Sequence, residues 1–203
     1  MGLIIQQFHK SPLKNNNYLV ADTQTKEAVL IDCSCADDEV INWAKDQGFT
    51  IKYILLTHGH FDHVLGVNYY RDNYGIDAYI HPKDLELLSR INEYTAWLKF
   101  PEVEMPQVKS FDKNTKFSVG AYPIEIIESP GHTQGGVCYL IDGNLFSGDT
   151  LFHGTCGRTD LKESDEQAMQ QSLALLFKKL PDETAVYPGH GAPTTIGHER
   201  WLY

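Results

Sequence analysis

The order of apolar segments along these 203 residues predicts an α/β fold of two packed sheets with helices outside. Three observations predict it. Residues 28–31, Ala-Val-Leu-Ile, are continuously apolar, as a strand covered on both faces must be. Each half of the chain runs strands first and then a helix, although no residue-level repeat relates the halves. An apolar fraction of 42 % with 22 % charged residues is ordinary for a soluble globular protein, and the length suits one domain, 1–203, with a substantial core.

The first strand-like segments are 3–8, 17–21 and 28–32. A helix is predicted over 37–47. Asp37, Asp38 and Glu39 favour its first turn through the helix dipole, Val40, Trp43, Ala44 and Gln47 share one side, and Gly48 can stop it. Residues 53–56 read as the next strand, 62–71 as a short helix and 78–80 as a short strand. Pro82 opens a helix carrying Leu85, Leu87 and Leu88. Residues 91–110 have no clear period but hold Tyr94, Trp97, Phe100, Pro101, Met105 and Pro106. Such an aromatic segment forms a lid or substrate wall, or else packs beneath the fold. In the second half, strands are predicted near 115–118, 122–128, 136–141 and 144–147. Ser164-x-x-Gln167 resembles a capping box, and Met169, Leu173, Leu176, Phe177 and Leu180 make a helical stripe that Pro181 ends. A last strand, 185–187, leads to Pro188-Gly189-His190.

Composition excludes several function classes. Twenty-seven acids against 17 bases give a net charge of −10, which disfavours a nucleic-acid or anionic-membrane partner. No run approaches the roughly 20 apolar residues of a membrane span, and the N-terminus shows no basic leader with an apolar stretch. Cys33, Cys35, Cys138 and Cys156 have no CxxC spacing, so thiols in a reducing cytoplasm are expected.

Chemistry concentrates in Thr57-His58-Gly59-His60-Phe61-Asp62-His63, directly after the apolar run Tyr53-Ile54-Leu55-Leu56. Four good metal ligands occupy six positions, and six residues cannot wrap an ion from all sides. Three later stretches offer the remainder, each placing a ligand directly after Gly at the end of an apolar strand: Gly131-His132, Gly148-Asp149 and Gly189-His190. One ion with an open catalytic position needs about three protein ligands. Five histidines and two carboxylates are the supply for two ions sharing a bridging carboxylate. Imidazole with carboxylate suits zinc first, and iron or manganese as well. A closed structural site would use cysteine, so the ligand set reads as hydrolytic.

In order and spacing, Asp32, His58-x-His60-x-Asp62-His63, His132, Asp149 and His190 resemble the metallo-β-lactamase superfamily across nearly the whole chain. The resemblance implies an αββα sandwich of two mixed sheets with the metals at one edge. It implies that His58, His60 and His132 hold one ion, that Asp62, His63 and His190 hold the other, and that Asp149 bridges. Asp32 would stand behind a ligand histidine and orient it through a hydrogen bond; a turn or helix-cap aspartate is its structural alternative.

Gly148-Asp149-Thr150-Leu151-Phe152 and Gly131-His132-Thr133 further resemble glyoxalase II, and the ending 188–199 resembles short bacterial glyoxalase-II-like proteins. That implies hydrolysis of a small acyl-thiol such as S-D-lactoylglutathione by water activated between the two ions, with Asp62 or Asp149 positioning its proton. The tail is expected to cap the site, with His198 outside the ligand set. Full-length glyoxalase II carries Cys-Gly-Lys followed by Phe-Tyr after the bridging Asp, and a helical C-terminal region. Here Cys156-Gly157-Arg158-Thr159-Asp160 keeps a cation and loses the Tyr, and the chain ends at Tyr203. Arg158 would bind a substrate carboxylate, or else pair with Asp160 or Asp165. The same segment is similar to mononuclear-iron persulfide dioxygenases, although their last motif differs from Gly189-His190-Gly191. Lactone hydrolysis and a non-catalytic metal-dependent binding role stay open. A β-lactamase is set aside by the lack of a leader and by Asp149, and a nuclease by the lack of a basic surface.

Overall fold

The computed structural model describes residues 2–9 and 13–202. Met1, where the segment read for a leader begins, and Tyr203 lie outside them. Strands β1 (Leu3–His9), β2 (Asn16–Asp22) and β3 (Glu27–Ile31) form an antiparallel meander. Helix α1 (Asp38–Asp46) then crosses to β4 (Thr50–Leu55), parallel to β3. After α2 (Phe61–Val64) and α3 (Val67–Tyr74) comes β5 (Ala78–Ile80), parallel to β4. A 3-10 turn (Pro82–Asp84), α4 (Leu85–Ser89) and α5 (Ile91–Trp97) precede β6 (Lys109–Ser110), which completes the first sheet in parallel with β5.

The second sheet starts as another antiparallel run: β7 (Phe117–Val119), β8 (Tyr122–Glu128), β9 (Val137–Ile141) and β10 (Asn144–Gly148). A small hairpin of β11 (Leu151–Phe152) and β12 (Thr155–Cys156) follows, then α6 (Glu166–Lys179). Next, β13 (Ala185–Pro188) adds parallel to β10, β14 (Thr194–Thr195) pairs antiparallel to β13, and α7 (Ile196–Arg200) closes the order.

Strand alternation explains the continuous apolar runs. Tyr18, Val20, Val29, Ile31 and Leu55 of the first sheet meet Phe117, Val119, Tyr139, Ile141 and Phe146 of the second in one buried cluster. Their neighbours Leu19, Ala21, Ala28, Leu30 and Ile54 point the other way, against Val40, Ile41 and Ala44 of α1 and Val67 and Tyr70 of α3. Beyond the second sheet, Cys138, Leu145 and Val186 pack under Met169, Leu173 and Leu176 of α6 and Ile196 of α7. Successive side chains thus enter different apolar layers. The architecture is an αββα sandwich of two mixed sheets.

Several local expectations need correction. The helix predicted over 62–71 is two helices, because Gly66 leaves the ladder: its N–H donates to Cys33 O (2.8 Å), and a Cβ there would lie 2.4 Å from Cys35 O. Asp165, not Ser164, caps α6, accepting from Ala168 N at 2.9 Å, while the Ser164 hydroxyl is committed to His132 O. The strand near 115–118 starts at Phe117, since the Asp112 side chain folds 112–115 into a turn. Within 91–110 lies the seven-residue α5, which buries Ile91 and Thr95 one turn apart. Phe100 and Val103 pack on the core, as the packing reading of the segment expects, while Trp97 stands 63 % exposed. All four cysteines are thiols. No described helix is long and apolar enough to cross a membrane.

Candidate metal centre

Strands β8, β10 and β13 run the same way through the second sheet, so the residues after them reach one edge. His132 follows β8, Asp149 follows β10 and His190 follows β13. From the first sheet, the chain leaving β4 delivers His58. His60 occupies the extended N-cap of α2, and Asp62 and His63 lie on its first turn. Two glycines make the close approach possible. Gly148 adopts φ +49° against Thr57, where a Cβ would sit 2.5 Å from Oγ1. A Cβ on Gly189 would lie 2.4 Å from Asp149 Oδ1 and 2.8 Å from His63 Cε1.

All seven residues singled out in the sequence come together. His58, His60 and His132 each offer a ligand atom within 4.8 Å of the others, as do Asp62, His63 and His190, and as do His58, His63 and Asp149. Asp149 reaches both sides. Its Oδ1 lies 3.4 Å from His63 Nε2, and its Oδ2 lies 3.4 Å from His132 Nε2 and 3.6 Å from His190 Nε2.

The histidines are held from behind. Asp32, at φ +59°, takes Thr57 N–H and hydroxyl at 2.8 Å each and lies 2.9 Å from His63 Nδ1 through Oδ2. Thr57 Oγ1, its proton given to Asp32, is 3.1 Å from His58 Nδ1. His132 Nδ1 donates to Arg158 O at 2.9 Å. These outward bonds fix tautomers that turn lone pairs inward. His58 Nε2, His63 Nε2 and Asp149 Oδ1 are buried with no hydrogen-bond partner among the described residues. Buried polar atoms are ordinarily satisfied. Three left open in one spot, all good donors to a divalent ion, show that the residues fit a metal centre.

Electrostatics divides the centre. Burial, reinforced by the neighbouring histidines, pushes His58 well below the usual imidazole value, and burial lowers His132 too; both are neutral, the ligating form. His63 behaves oppositely. Its burial opposes charge, yet Asp149, Asp62 and Asp32 together raise it to about 10. Burial likewise works against Asp62, but His63, His190 and Asn15 hold it well below the ordinary carboxylate range. The second side therefore demands positive charge, which a divalent cation supplies.

Sequence reasoning missed several residues of this site. Asn15 Nδ2 donates to Asp62 Oδ2 at 2.8 Å, and the Asn16 side chain donates to Pro188 O (2.8 Å) and Gly191 O (2.9 Å), tying β2 to the His190 turn. Asp84 accepts from Gly59 N (2.8 Å), Gly135 N (2.6 Å) and Thr133 Oγ1 (2.8 Å), pinning two ligand loops together. Glu163 Oε1 lies 2.6 Å from His60 Nε2, and its Oε2 accepts from Tyr94 OH. Burial would raise this carboxyl, but those two bonds bring it down to about 2. The run Asn15-Asn16-Asn17, polar at the mouth of an apolar strand, was the one available signal.

A cleft of about 190 Å³ opens over the ligands, walled by Tyr94, Trp97, Leu98, Leu161 and Arg158. Arg158 is exposed there and forms a forked pair with Asp160 at 2.6 and 2.8 Å. Among the described residues, none of the tail past His190 lines the cleft over the ligands. Glu199 of α7 instead accepts from Gly154 N at 2.8 Å, fastening the β11–β12 hairpin beyond Asp149. His198 lies in a separate group with His153 and Glu199.

Residues 11–190 match the family model of the metallo-beta-lactamase superfamily. The crystal structure of the BLEG-1 B3 metallo-beta-lactamase is similar over 98 % of this chain and 99 % of its own, with a TM-score of 0.88 and 32 % identity. TTHA1623, crystallised in a di-iron-bound form, is similar over 96 % of both chains, with a TM-score of 0.85 and 32 % identity. The probable polyketide biosynthesis zinc-dependent hydrolase BaeB of Bacillus velezensis is 29 % identical over 92 % of this chain and 76 % of its own.

Proposed function

The chain belongs to the metallo-beta-lactamase superfamily, and on that premise we propose that it is a metal-dependent thioester hydrolase of the glyoxalase II kind. Its substrate is S-D-lactoylglutathione or a related small acyl-thiol. Two divalent ions, held by His58, His60 and His132 and by Asp62, His63 and His190 with Asp149 between them, would supply an activated water and polarise the acyl carbonyl. Zinc leads as the metal, and iron or manganese suits the same donors. The convergence of His58 Nε2, His63 Nε2 and Asp149 Oδ1, buried with no hydrogen-bond partner among the described residues, supports the metal-dependent part of this reading.

The protein's own groups divide the remaining work. Asp62, kept ionised by its neighbours, and Asp149 present carboxylate oxygens at the floor of the cleft, where either would orient the attacking water by accepting a hydrogen bond from it. Tyr94, Trp97, Leu98 and Leu161 surround the acyl group and exclude bulk water. Arg158 offers a guanidinium at the same rim, where a substrate carboxylate exchanges with Asp160.

Metal analysis of the purified protein, paired with turnover assays, tests the proposal. Two metals per chain with cleavage of S-D-lactoylglutathione support it. Asp149→Ala and His132→Ala are each expected to lower turnover at least about 100-fold; near-wild-type hydrolysis by either, with metal bound, overturns the assignment. Oxygen uptake with glutathione persulfide and a single iron moves the answer to a dioxygenase. The likeness to a B3 metallo-beta-lactamase earns a β-lactam and a lactone places in the same panel. Cleavage of either one without thioester cleavage replaces the thioester reading.

A further inference from the structure

Building on the metal-centre reading, we infer that Glu163 is a positioning residue that turns His60 to ligate through Nδ1, and that Tyr94 links this carboxylate to the substrate cleft. His60 is set differently from the other buried histidines of the centre. His58, His63 and His132 all use Nδ1 for the outward bond and leave Nε2 inside. In His60 the ring is reversed: Nε2 faces outward, 2.6 Å from Glu163 Oε1, and Nδ1 faces inward, 2.9 Å from His132 Nε2.

The reversal follows from where His60 sits. It occupies the N-cap of α2 rather than the end of a strand, and among the described residues its outward nitrogen has Glu163 as its hydrogen-bond partner. That carboxylate comes from the loop before α6. That acceptor requires the proton on Nε2, leaves the Nδ1 lone pair directed at the metal position, and makes the ring a stronger donor. The same loop also secures His132, through Arg158 O at Nδ1 and through the Ser164 hydroxyl at its carbonyl (2.8 Å). Residues 158–164 therefore hold two of the three ligands of the first site.

Glu163 is only 10 % exposed through its side chain, and its second oxygen accepts from Tyr94 OH. Tyr94 stands on α5, its ring centroid 5.6 Å from that of His60, and it walls the cleft beside Trp97. A group bound against Tyr94 thus touches the residue that holds Glu163, which couples cleft occupancy to the first metal site.

Cobalt(II) titration of the metal-free protein, read by visible absorption and by competition with a chelator, tests this. Glu163→Ala is expected to weaken one of two binding steps about 10–100-fold and leave the other within about twofold. Glu163→Gln keeps an oxygen that accepts from Nε2–H, so it should show a smaller loss at the same step. It carries the test alone if the alanine variant does not fold. Asn15→Ala, which removes the donor behind Asp62, should weaken the opposite step. Tyr94→Phe should reproduce part of the Glu163→Ala loss. Unchanged affinity at both steps in the Glu163 variants, or equal loss at both, overturns the inference while the metal-centre reading stands. Wild-type protein that takes up no cobalt overturns both.

Discussion

At the scale of single residues, the centre depends as much on atoms that do not touch a ligand position as on those that do. Gly189 is an example. Any side chain there enters the space of Asp149 Oδ1 and the His63 ring. Gly189→Ala is expected to lower metal content to one ion or none and turnover about 100-fold, while far-UV circular dichroism stays that of the wild type. Asp84 is a second case. Its removal strands three buried donors, each worth about 1–3 kcal/mol when left unsatisfied, so Asp84→Ala should cost about 3–5 kcal/mol in urea unfolding. A cost below about 1 kcal/mol would show that the two ligand loops hold together without it. Neither effect was legible from residue identity. Asp84 reads locally as a helix-start acid after Pro82, and only the arrival of Gly59, Thr133 and Gly135 from distant parts of the chain makes it a hub.

At the scale of elements, strong periods translated into structure and short ones did not. The stripe of Met169, Leu173 and Leu176 became α6, and the unbroken 28–31 run became β3 between two apolar layers. Two-residue strands such as β11, β12 and β14 are too brief for any period, and α5 has less than two full turns of contrast. Yet α5 is the element that shapes the cleft. Trp97 projects from it, 63 % exposed at the cleft wall. Trp97→Ala should therefore leave unfolding free energy within about 0.5 kcal/mol and raise KM several-fold while kcat stays within about twofold. A fall in kcat with unchanged KM would place the indole elsewhere in the reaction.

At the scale of the whole molecule, each of the three ligand groups at the centre takes two residues from the first half of the chain and one from the second. Neither half can close a site alone, so metal binding and docking of the two sheets are one event. Bonds across the sheets at this edge show the same dependence: Tyr18 OH donates to Pro188 O at 2.8 Å, Tyr139 OH to Leu56 O at 2.7 Å, and Val137 N to Thr57 O at 2.9 Å. Ion binding stabilises the folded state by about 2.7 kcal/mol at a hundredfold excess over Kd. Chelation should accordingly lower the melting temperature by about 5–10 °C, with recovery on adding metal back; an unchanged melting temperature would uncouple the centre from the fold. Sequence by itself determined the seven ligand candidates, the two-sheet order and the strand ends that carry them, because those rest on residue type and on periods of a few residues. Tertiary structure alone decided which nitrogen of each histidine faces inward, which carboxylates stand behind them and what walls the cleft. Those outcomes come from contacts between segments dozens of residues apart, and no local pattern records them.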